Sequence, residues 1–108
     1  MDLAAALATH SRAEVDFSGT VATAPRYFFG TRTHCEHETF AVRTNAGLID
    51  VVDNIALATP VPVQRGDRVQ VRGELVRDAS KPVVHWTHHD PSHHHADGFI
   101  QFRGRIYA

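Results

Sequence analysis

The chain has a single cysteine, Cys35, among 108 residues. That excludes an intrachain disulfide framework and any zinc knuckle built on paired cysteines. No hydrophobic run approaches the length of a membrane span. Positive charge is not in excess either: 11 Lys and Arg stand against 12 Asp and Glu, a formal net charge of -1 with histidine neutral. Such a chain lacks the strongly basic balance of proteins that hold phosphate backbones without specificity. Its first ten residues carry an acid, Asp2, and a short Leu/Ala run instead of the basic n-region of a secretory signal. As given, the chain reads as cytoplasmic, or as one from which an export signal has been removed.

What is present is ordinary globular material, 43% hydrophobic and 21% charged, sufficient for one domain over residues 1–108. Leu3 and Leu7, four apart in an alanine-rich stretch, predict a short amphipathic helix within residues 1–12. Period two then takes over. Val15, Phe17, Gly19 and Val21 alternate with Asp16, Ser18 and Thr20, which predicts a strand over residues 14–23. Residues 24–36 read as a long loop containing Pro25 and Gly30. A hairpin follows, with strands at 38–44 and 48–52 around Asn45-Ala46-Gly47. Pro60 and Pro62 make the next connection irregular, because proline cannot donate to a ladder.

Gly66-Asp67 leads the clearest strand, in which Val69, Val71, Gly73 and Leu75 share one face. A fifth strand over residues 83–87 runs into the histidines, and residues 99–102 and 105–107 form a terminal hairpin or one bent strand. This order predicts an all-β fold with minor α content: a small five- to six-stranded barrel of the oligonucleotide/oligosaccharide-binding (OB) type, with a short N-terminal helix.

Chemistry concentrates in residues 85–98, which hold six of the nine histidines together with Asp90 and Asp97. Neutral imidazole is the commonest protein ligand for transition metals, and carboxylates ligate or orient it. If the fifth strand continues, His85, Thr87 and His89 face one way and Val84, Trp86 and His88 the other. The economical site then joins His85 and His89 to His95 beyond the Pro91 turn, with an open position on the metal. His34-Cys35-Glu36-His37 is a smaller group, from which His37 is a further candidate ligand and Cys35 a candidate site wall.

The residues His85-Trp86-Thr87-His88-His89-Asp90-Pro91, then His95, Gly98 and Gly104-Arg105-Ile106-Tyr107, resemble a bacterial family, domain of unknown function 3465. The similarity extends to His37, Phe40, Asn54-Ile55 and Gly66-Asp67, and so covers nearly the whole chain. The resemblance implies an OB-like barrel behind a short helix, and usually an export signal ahead of it. It also implies the site set His37, Asn54, His85, Trp86, His88, His89, Asp90 and His95. His93 and His94 depart from the family pattern, and Phe99 stands where it often has tryptophan.

The leading expectation is therefore a divalent metal, zinc or copper, held by His85, by His88 or His89, and by His95. His37 and Asp90 would assist, with Trp86, Asn54, Asp97 and Cys35 around them. The alternative is a module for single-stranded nucleic acid or another oligomer. Arg26, Tyr27, Phe28 and Arg32 mix stacking and phosphate-pairing groups just after the first strand, where OB folds contact single strands. Ser92 beside His89 and Asp90 lacks the Gly-flanked elbow of a nucleophile, and Arg65-Gly66-Asp67 reads as an ordinary turn.

Overall fold

Alternation of apolar and polar side chains does in space what it promises in sequence. In the computed structural model, which describes residues 1–9, 12–77, 81–94 and 96–108, strand β1 (Arg12–Val21) buries Val15, Phe17, Gly19 and Val21 on one side. Strand β5 (Arg68–Arg77) buries Val69, Val71, Gly73 and Leu75 in the same way. These two strands pair antiparallel from Arg12↔Val76 to Thr20↔Arg68. β3 (Cys35–Thr44) and β4 (Gly47–Asn54) form the expected hairpin, from Thr44↔Gly47 to His37↔Asn54.

β6 (Pro82–His85) inserts between β4 and β5, parallel to the first and antiparallel to the second. With β1 pairing β3 at one end and β5 at the other, the path β1-β3-β4-β6-β5 closes on itself. The fold is a closed five-strand OB-like barrel with extra strands, mainly β with one short helix among the described residues. Its interior holds Phe40, Val42, Ile49, Val51, Leu75, Val84 and Ile100, all nearly inaccessible to solvent.

Helix α1 (Leu3–Thr9) seals one end by inserting Leu3 and Ala6 into the core. Its start is capped by Asp2, whose Oδ2 accepts from the Ala5 N–H at 3.1 Å. Strands β7 (Phe99–Phe102) and β8 (Arg105–Tyr107) form the terminal hairpin and attach to β5 through β7. No described helix is long and apolar enough to cross a membrane.

Two elements differ from expectation. The stretch expected as a loop contains a strand, β2 (Arg26–Gly30), which pairs only with β3. Every residue from Arg26 to Phe29 on it is exposed, so no alternation marked it in the sequence. Ladder bonds and aromatic β-propensity form it instead. The strand expected over residues 83–87 stops at His85, because Trp86 takes a positive φ of 55°. The left-handed residue ends the strand alternation, although the Thr87 hydroxyl still reaches Val52 and Asp53 of β4, so facing on a continued strand does not govern the histidines beyond it.

Candidate ligand cleft on the barrel face

The outer surface of β3 and β4 is built from residues out of phase with the core. The pairs His37↔Asn54 and Thr39↔Val52 lie side by side there. β2 extends this face, since Phe28 is the cross-strand partner of His37 and their rings stack at 5.1 Å with an interplanar angle of 13°. The turn after β2 supplies Arg32, and the chain leaving β6 supplies Trp86 and His88. Together these groups enclose a cleft of about 300 Å³ lined by Arg32, Thr33, His37, Val52, Asn54, His85, Trp86 and His88. No carboxylate is among those lining residues.

The imidazoles are oriented by backbone. His37 Nδ1 lies 3.0 Å from the Cys35 carbonyl and His88 Nδ1 lies 2.7 Å from the His89 carbonyl. A carbonyl only accepts, so both rings donate from Nδ1, and in the neutral form Nε2 is left with a lone pair. Both residues are largely buried, yet the one buried side-chain N or O atom without a partner among the described residues is Asp53 Oδ2. Both rings line the cleft, and each keeps Nε2 as its remaining acceptor. Asn54 is also oriented: its Oδ1 accepts from the Ala56 N–H at 3.0 Å, which leaves the amide NH2 as donor. His85 Nε2 contacts Glu74 Oε1 at 3.3 Å, and Trp86 packs against both His85 and His88.

Behind this wall sit three buried polar residues that sequence reasoning passed over, Glu38, Asp53 and Thr87. Glu38 and Asp53 are cross-strand partners facing the core. Glu38 accepts from the Val61 N–H at 2.9 Å and the Tyr27 hydroxyl at 3.1 Å. One carboxylate thus ties the proline-interrupted connection and β2 to the barrel. Burial pushes the Glu38 carboxyl above its usual range, against the pull of these two donors. Asp53 goes further, to about 7, because burial outweighs the Thr87 hydroxyl bond at 3.0 Å and the Glu38 charge opposes ionisation. Tyr27, hydrogen-bonded to Glu38, has its phenol raised as well, through burial and that same charge.

The described part of the histidine segment beyond His88, residues 89–94 and 96–98, carries turn bonds of its own. Asp90 is 1% exposed, and its Oδ1 accepts from the Ser92 N–H and hydroxyl while Oδ2 accepts from the His94 N–H. The Asp97 carboxylate takes the Asp90 N–H at 3.1 Å and meets His89 Nδ1 at 2.8 Å, and these bonds hold it below the usual carboxylate range. Gly98 N–H donates to the His88 carbonyl at 2.9 Å and closes the neck.

Of the expected site residues, His37, Asn54, His85, Trp86, His88 and Arg32 converge on the cleft. His89, Asp90, Asp97 and Cys35 do not line it. Arg26, Tyr27 and Phe28 lie beside it on β2, and His95 is outside the described residues. Among the described residues, no group of three or more His, Cys, Asp or Glu side chains is arranged to hold a metal ion. The physical reason lies in the loop: past Trp86, His89 is carried to Asp97 and both Asp90 oxygens are committed to turn donors.

The model of one protein family matches residues 4–108, nearly the entire chain. The chain belongs to the family described as "Protein of unknown function (DUF3465)". No curated protein matches this DUF3465 chain. Among solved structures, it is similar to a small single-stranded DNA-binding protein from Streptomyces coelicolor, with a TM-score of 0.53 and 22% identity, covering 70% of this chain and 87% of that one. A ZRD-deleted mutant of TiaS in complex with agmatine is similar over 67% of this chain, at 18% identity and a TM-score of 0.49. The DUF3465 domain spans only 19% of that chain. At 22% identity the likeness to the Streptomyces protein establishes the fold alone, an OB barrel, in agreement with the strand order.

Proposed function

We propose that this chain binds single-stranded nucleic acid across the outer face of β2, β3 and β4. β3 and β4 take the places of the second and third barrel strands, the face that OB folds present to oligonucleotides. One observation carries the reading: on that face an exposed aromatic, Phe28, stacks on His37 at the lip of a cleft lined by Arg32 and by no carboxylate. Bases stack on such platforms irrespective of sequence. Exposed Arg26, Arg32 and Arg43 serve the backbone. The likeness to the Streptomyces single-stranded DNA-binding protein supports the same assignment.

With only three arginines engaged, the salt dependence is expected to be shallow, a slope of about -2 in log K against log salt. Fluorescence anisotropy of a labelled oligonucleotide in chelator measures it. Phe28→Ala is expected to weaken binding about 5- to 150-fold, the worth of one stacked base. Absence of binding at low salt removes the proposal.

A second reading, a zinc or copper ion on imidazole, draws on the Nδ1–carbonyl bonds of His37 and His88. Such bonds fix the ring tautomer in many metal sites and leave Nε2 to the ion. Its third ligand would have to come from outside the described residues, where His95 lies. Zinc at a hundredfold excess over its Kd would raise the Tm of chelator-stripped protein by roughly 10 °C; an unchanged Tm in both zinc and copper discards the ion.

A further inference from the structure

We infer that the cleft receives one unstacked base of the bound strand by its amino-bearing edge, so that cytosine is preferred to thymine. The inference rests on the single-strand reading above and adds selectivity to it. A cleft of about 300 Å³ is the size of a pocket for one small heterocycle and its sugar. Its polar lining is directional. His37 and His88 each give Nδ1 to a backbone carbonyl and present Nε2 as an acceptor, while Asn54, with Oδ1 on the Ala56 N–H, presents NH2 as a donor.

A ligand edge that satisfies this set needs N–H donors beside a ring acceptor. Cytosine, with its N4 amine next to N3, has that pattern, and the amino edge of adenine repeats it. Thymine presents a carbonyl where cytosine has the amine and an N–H where cytosine has the acceptor. In cytosine's pose, thymine O4 would face an imidazole lone pair and N3–H the Asn54 donor. In a shifted pose its single N–H serves one imidazole and leaves the other unpaired, whereas the two hydrogens of the cytosine amine can serve both. Sites built of oriented polar groups discriminate strongly against ligands that leave those groups unpaired.

The preference runs against the usual behaviour of single-strand binders, whose modest preferences follow stacking and backbone flexibility. That makes the test sharp. Labelled oligo(dC) and oligo(dT) of about 12 nucleotides are titrated with the full chain at about pH 8 in chelator, conditions that keep an ordinary imidazole neutral and metal absent.

Oligo(dC) is expected to bind at least about fivefold tighter, the lower end of one well-made base contact. His88→Phe keeps an aromatic wall but no acceptor, and is expected to bring the two oligomers level mainly by weakening oligo(dC). Equal binding by the wild-type chain, or tighter binding of oligo(dT), with salt sensitivity intact overturns the base preference and leaves the single-strand function standing. If neither oligomer binds at low salt, the function itself falls. The wild-type comparison does not depend on the variant folding.

Discussion

Asp53→Asn is expected to stabilise the chain by roughly 2–4 kcal/mol at about pH 8 and to change little at about pH 4. Burial holds the Asp53 carboxyl at about 7 in the folded barrel, above its ordinary 3.8. A group whose folded pKa is raised favours folding most when protonated. Its contribution is complete below the unfolded value and is lost as pH rises through the folded value. Wild-type stability should therefore fall between about pH 4 and pH 7, by up to ~4 kcal/mol at 1.36 kcal/mol per unit.

Asparagine has no proton to lose there and keeps an oxygen for the Thr87 hydroxyl. The orphaned Oδ2 is also where ionised Asp53 would leave charge unpaired. Urea unfolding of both chains across this range isolates Asp53 from the surface histidines, because they are common to both. A variant no more stable than wild type at about pH 8 would contradict the account.

The second large effect belongs to Gly98. A Cβ there would collide with the Trp86 carbonyl oxygen, lie 2.6 Å from the Arg72 carbonyl oxygen and lie 2.9 Å from the Thr87 Cα. All three are backbone atoms, in β5 and in the segment leaving β6, so no side chain can turn aside. Gly98→Ala must part the neck of the histidine loop from β5, at an expected cost of about 3 kcal/mol or more.

Gly104 is the proper control. It has a φ of 77°, and a Cβ there meets nothing within 4 Å, so Gly104→Ala should cost only about 1 kcal/mol of backbone strain. The two losses, read from urea midpoints, separate crowding from conformation. Equal losses would mean that the neck has room to give.

Most of the barrel was legible because its strands are half-buried. Val15, Phe17 and Val21 in β1, and Val69, Val71 and Leu75 in β5, write their facing into the chain at period two. β2 was not legible, because a strand exposed on both faces has no period; its aromatics read as a sticky loop. The end of β6 was hidden for another reason. A positive φ at Trp86 is unusual for a bulky aromatic, and nothing in a single sequence announces it. The histidines beyond it therefore scattered, His88 to the cleft and His89 to Asp97.

His37, Asn54, His85, Trp86 and His88, which the family resemblance pointed to together, do meet on one face. Glu38 and Asp53 were visible in principle. Each sits in phase with core residues, Phe40 and Val42 on β3 and Ile49 and Val51 on β4, and that was the overlooked signal.

The β1–β5 ladder sets the timetable of synthesis. Arg12 pairs with Val76 and Thr20 with Arg68, so the first strand leaves the ribosome long before its main partner exists. At ~5–20 residues per second, that delay lasts several seconds. Meanwhile Val15, Phe17 and Val21 have helix α1 and the short registry of Thr20 and Val21 with β3 to shelter them, but not their longest ladder. The nascent barrel is thus an open ribbon with an apolar side, and its closure is a late, non-local event. Those seconds are when the chain has most need of a chaperone.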